Sequence, residues 1–188
     1  MVEALDLLRQ DHRNMATLLR MLDQQIGEFR GGGRPDYDVI AGILDYFLSF
    51  PDACHHPRED LIFARLRDRD PQAIEAIDDL QSEHRQLAAA ARNFLAALRA
   101  VLEEAEIPRH AFYERARRFI DRQRLHIGME ESTFFPAAER ALTPADWTEL
   151  EALMPKTDVG ERFEPLRQMI LRWQRDDEAA AAQKSGVP

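Results

Sequence analysis

The sequence predicts an all-α protein, an up-down four-helix bundle with one or two additional helices at its C-terminal end. Apolar residues recur at three- and four-residue spacing through most of the chain, and strand signals are almost absent. Four long periodic segments are joined by short connections, which makes consecutive helices antiparallel neighbours.

The first segment places Leu5, Leu8, His12, Met15, Leu19, Leu22, Ile26 and Phe29 in a 3,4 rhythm and ends at the turn Gly31-Gly32-Gly33-Arg34-Pro35, giving a helix over about residues 3–30. The second, over residues 37–68, follows Ile40, Leu44, Leu48, His55, Glu59, Ile62 and Leu66, and Pro51 and Pro57 within it predict a bend. Asp70 and Pro71 read as an N-cap and first helical residue of a third helix, with Ile77, Leu80, His84, Leu87, Ala91, Phe94, Leu98 and Val101 on its inner line. Pro108 opens the fourth, lined inwardly by Phe112, Ala116, Phe119, His126, Glu130, Phe134 and Ala137. Thr143 and Pro144 start a shorter helix, a last one covers residues 163–180, and residues 181–188 read as a disordered tail. The bundle thus occupies residues 1–142 and a C-terminal helical extension residues 143–188.

At 188 residues and 45% apolar content the chain fills one core. Its N-terminus lacks a basic segment followed by an apolar run, and no stretch approaches the roughly 18 apolar residues of a membrane span. These features and the single cysteine, Cys54, predict a cytoplasmic protein that does not enter membranes. A net charge of -9, with basic residues interspersed among acids, excludes a general affinity for nucleic acid. The triple glycine lacks the Gly-Lys-Ser/Thr ending of a phosphate loop and is a turn.

The chemistry lies in the seams. His12, His84, His126 and Glu130 occupy positions where leucine is expected, as do His55 and Glu59. An unpartnered carboxylate in an apolar interior costs several kcal/mol, on the order of 5 or more, so a positive centre should lie among these groups. Residues i and i+4 share a helix face, so His55 with Glu59 and His126 with Glu130 each aim at one point, where a metal fits. The pairs also repeat. His55 and His126, Glu59 and Glu130, Asp60 and Glu131, and Phe63 and Phe134 each stand 71 residues apart, and Asp11-His12 returns as Glu83-His84 at an offset of 72. Two half-sites facing across the bundle follow from this pseudo-repeat. His56 is an additional candidate, although it points about 100° from His55 on an ideal helix. Asp11, Glu83, Asp60 and Glu131 adjoin the candidates and suit the orienting of imidazoles. His110 belongs to no motif.

The succession of Leu8-Arg9-Gln10-Asp11-His12, then His55-His56-Pro57-Arg58-Glu59-Asp60-Leu61-Ile62-Phe63, then Glu83-His84, then His126-Ile127-Gly128-Met129-Glu130-Glu131-Ser132-Thr133-Phe134-Phe135-Pro136 resembles the hemerythrin-like cation-binding family over residues 3–142. The resemblance implies a non-heme pair of iron ions, with His12, His55, His84 and His126 as terminal ligands and Glu59 and Glu130 as bridges. Oxygen-carrying hemerythrins have a second histidine four residues from the one matching His84, but Leu80 and Ala88 stand there. Without it, both ions are expected to have open positions. Their spacing of the last carboxylate selects Glu131, while the internal repeat selects Glu130. Zinc and manganese suit the same imidazole and carboxylate donors.

The expected function is to sense, bind or respond to dioxygen, peroxide or iron through the metal pair. An oxidase or peroxide-decomposing enzyme on the same site, or a metal-stabilised interaction module, are the alternatives. The C-terminal helices are the expected surface for a homodimer or protein partner.

Overall fold

A computed structural model describes residues 3–75, 77, 79–103, 108–155, 164, 166, 168–173 and 175. Among these, every regular element is helical and no helix is long and apolar enough to cross a membrane. Helix α1 (Glu3–Arg30) buries all eight residues of its predicted seam, and Gly32 closes it with a φ of 90°, a backbone region that glycine enters without steric cost. Asp36 caps α2 (Tyr37–Phe50) by accepting from the backbone N–H groups of Asp38 and Val39. The helix then widens over Pro51–His55 into a π-turn and continues as α3 (His56–Arg69).

The third helix begins later than its start signal suggests. Asp70 and Pro71 open only a short α4 (Pro71–Glu75), and the long α5 (Leu80–Leu102) has its own cap, Asp79, whose side chain accepts from the Ser82 N–H. Ile77, predicted on that helix, lies in the turn between them and is buried. Helix α6 (Arg109–Met129) passes into a second π-turn over Glu130–Phe134 and then α7 (Phe135–Ala141). Each π-turn stands just ahead of a proline, Pro57 or Pro136. Proline lacks the N–H that an α-turn would use and its ring crowds the carbonyl four residues back, so the wider i→i+5 turn relieves both conflicts. The π-turn ahead of Pro57 falls where the sequence reading placed a break in regular α-helix, whereas the one ahead of Pro136 was not anticipated.

Helix α1 packs on α2 and α6, and α5 packs on the same two, which closes a four-sided bundle. Its interior divides into two apolar clusters. One gathers the C-terminal half of α1 with α2, α5 and α6 around Phe94, Phe112 and Phe119. The other joins Leu5, Leu8, Ile62, Leu66, Phe134 and Phe135 to Trp147, Leu150 and Met154. The polar seam residues lie between them along each helix.

Helix α8 (Pro144–Leu153) starts at Thr143 with a reciprocal capping box to Asp146, as its Thr-Pro signal predicts. Asp146 is 1% exposed and also receives Arg65 and Arg69 of α3. Those guanidiniums and the Thr143 bonds hold its carboxyl well below the usual range. A depressed folded pKa stabilises above the unfolded value and is lost as pH falls toward the folded one. Asp146→Asn should therefore lower Tm at pH 7 far more than the exposed Asp121→Asn, with the difference shrinking below about pH 4; thermal unfolding followed by circular dichroism checks both. In the predicted last helix, Leu166 and Ile170 are helical and pack on the first cluster. Its remaining ends and residues 181–188 lie outside the described residues.

Candidate metal centre

Seven side chains converge between the two clusters. Two groups of donor atoms, each within 4.8 Å of one another, are His12, His55, Glu59 and Glu130, and His56, Glu59, His84 and His126. The six seam residues are thus brought together, and His56 joins them. Glu131 lies outside both groups, and its side chain bonds His12 Nδ1 at 2.7 Å.

His56 enters because of the π-turn. A turn that closes over five residues reduces the angle between neighbours, so His55 and His56 both face inward where an ideal α-helix would separate them by about 100°. The His56 ring stacks on His84 with centroids 3.7 Å apart.

The two glutamates stand between the groups with one oxygen toward each. Glu59 presents Oε1 to His55 Nε2 at 3.1 Å and Oε2 to His84 Nε2 at 3.5 Å. Glu130 presents Oε2 to His12 Nε2 at 3.2 Å and Oε1 to His126 Nε2 at 3.0 Å. Both glutamates are fully buried. His12 Nε2 and His55 Nε2 face each other at 3.1 Å.

The outer nitrogens of His55 and His56 are bonded by carboxylates, and a third carboxylate stands near that of His126 without a hydrogen bond. Asp11 reaches His55 Nδ1 at 3.2 Å, Asp52 reaches His56 Nδ1 at 2.9 Å, and Glu83 lies 3.6 Å from His126 Nδ1. Nδ1 bonded outward leaves Nε2 as the inward lone pair, the tautomer a metal requires. Asp52 was missed in the sequence, although it stands four residues before His56. Arg58 was missed too. It is buried, and its guanidinium lies 3.5 Å from Asp11 while donating to the Pro155 carbonyl at 3.3 Å, which offsets charge and fixes the carboxylate behind His55. His110 is exposed at the start of α6, and Cys54 is buried.

These groups fit a cation better than they fit one another. Both oxygens of Glu59 and Glu130, and Nε2 of His84 and His126, are buried without a hydrogen-bond partner. Each such atom costs about 1–3 kcal/mol, and more where it is charged. Donors bound at about 2.1 Å in one coordination shell lie about 3.0 Å apart when adjacent and about 4.2 Å apart when opposite, which brackets the separations observed. With no metal, protons take its place. Burial opposes charge on His55, but Glu59, Asp11 and Glu130 outweigh it and raise its pKa to about 10. Burial likewise disfavours ionised Glu130, yet His126, His12 and His84 hold its carboxyl well below the usual range. A cation entering the site displaces such protons.

Residues 3–138 match the hemerythrin HHE cation-binding domain family. The chain belongs to that family. Membership makes it a cation-binding domain, and the two donor groups are where the chain's own side chains could hold a metal. No curated relative and no solved structure matches it.

Proposed function

We propose that the protein holds two iron ions, bridged by Glu59 and Glu130, and uses them to bind and respond to dioxygen or peroxide. The observation that supports this reading is the division of each glutamate between the two histidine groups, one oxygen apiece. A carboxylate serving a single ion would turn both oxygens, or one alone, to one group. The donor chemistry, imidazole and carboxylate without thiolate, suits iron, with manganese and zinc as competitors. A bound iron pair supplies redox chemistry and affinity for a small oxygen ligand.

The chain's residues make the two positions unequal. His56, His84 and His126 surround one and only His12 and His55 the other, so the expectation of equal openings on both ions gives way to one favoured side. A small exogenous ligand meets less competition from the protein beside His12 and His55. There the His12 ring stacks on Phe135, 5.2 Å between centroids, and the flanking apolar clusters exclude bulk water. Glu131 and Asp11 hold the two imidazoles in place while the ligand comes and goes.

Peroxide separates response from turnover. Added in excess to the iron-loaded protein, it should change the visible spectrum saturably while little is consumed beyond one equivalent per site. Sustained catalytic consumption would instead establish an enzyme on the same residues.

A further inference from the structure

The three-histidine group is not sealed. A cavity of about 290 Å³ opens against it, and His56 and His84 belong both to its wall and to the donor group. The His56 side chain is 13% exposed, against 3% for His12, 2% for His55, 8% for His84 and 4% for His126. Two carboxylates line the same cavity. Asp52 is 62% exposed and bonds the outer nitrogen of His56, while Asp60 has a buried oxygen, Oδ1, with no hydrogen-bond partner. The cation at the cavity's edge, Arg85, lies 3.9 Å from Asp79, which offsets its charge.

Resting on the metal reading above, we propose that this cavity is the passage by which a divalent cation reaches and leaves the site. Asp52 and Asp60 meet the ion, and His56 is the first imidazole it encounters. An ion shedding its water needs polar replacements along the way. The carboxylate-lined cavity offers them. Along the bundle axis the route is closed by the two apolar clusters, and His12, His55, Glu59 and Glu130 are themselves at most 3% exposed. Asp60 neighbours Glu59 in sequence yet belongs to neither donor group, so its buried oxygen serves an ion in transit and not one at rest.

The test is the rate of Co²⁺ uptake by the metal-free full chain, followed by visible absorption, and the rate of its removal by excess chelator. Asp60→Asn should slow both by the same factor, about threefold or more, with the final metal content unchanged. Gln81→Lys adds positive charge at the exposed edge of the same cavity without touching a donor, and should slow both in a manner relieved by salt. Glu114→Gln removes one surface charge on α6 away from the cavity and should change neither rate. Unchanged rates in the two cavity variants would overturn the passage. So would faster release with unchanged uptake, because that is the signature of a residue that merely stabilises the bound ion. If the unaltered chain takes up no cation at all, the metal reading itself fails and the passage with it.

Discussion

Glu130→Ala should empty both metal positions together. Its two oxygens face His12 on one side and His84 and His126 on the other, so removing it takes a carboxylate oxygen from beside the histidines of each group and leaves three Nε2 atoms facing a gap. Elemental analysis of the variant after iron loading should fall from about two ions per chain to near none, and Glu59→Ala should behave alike. Glu131→Ala is the contrasting case. That carboxylate reaches the outer nitrogen of His12 and the Arg9 guanidinium but none of the inward-facing atoms, so both ions should remain, with affinity weakened about 10- to 100-fold. Loss of a single ion in Glu130→Ala would mean that the glutamate serves one position only.

Chelation should destabilise the fold strongly. An ion at about 1,000 times its Kd contributes about 4 kcal/mol to the folded state, provided the unfolded chain has no site. For a chain of this length about 1 kcal/mol shifts Tm by about 2–4 °C, so stripping two ions should lower it by about 15 °C or more. The buried glutamates must then persist on imidazolium partners alone. His84→Ala should reproduce part of the fall, whereas His110→Ala, at an exposed helix start, should reproduce none. A Tm indifferent to chelation, measured calorimetrically, would show that the apolar clusters hold the bundle without help.

The bundle was legible because its signal is redundant. All eight seam positions of α1 are buried, and so are the seven inner positions read for the fourth helix, from Phe112 to Ala137. The convergence of six polar seam residues was legible for the same reason, since a polar residue on a leucine line declares itself. What the sequence showed less clearly depends on backbone detail. Asp70-Pro71 looked like the start of a long helix, but Asp79 offered a second cap and took that role. His56 fell outside the rule of faces because the rule assumes 3.6 residues per turn, and the π-turn ahead of Pro57 breaks it. The internal repeat misled at the same place, for the counterpart of His56 at an offset of 71 is Ile127, which packs on the apolar cluster. The two halves match in their glutamates and differ in their histidines. Glu130 against Glu131 was open in sequence because the internal repeat selects the one and the family's spacing the other, while in the structure Glu130 faces His126 Nε2 and Glu131 faces the outer nitrogen of His12.

Counting the metal tests most directly whether Glu59 and Glu130 share a pair of cations. The unaltered protein, loaded with ferrous iron in excess without oxygen and freed of unbound metal, should carry two ions per chain. One ion per chain under iron excess would contradict the shared pair.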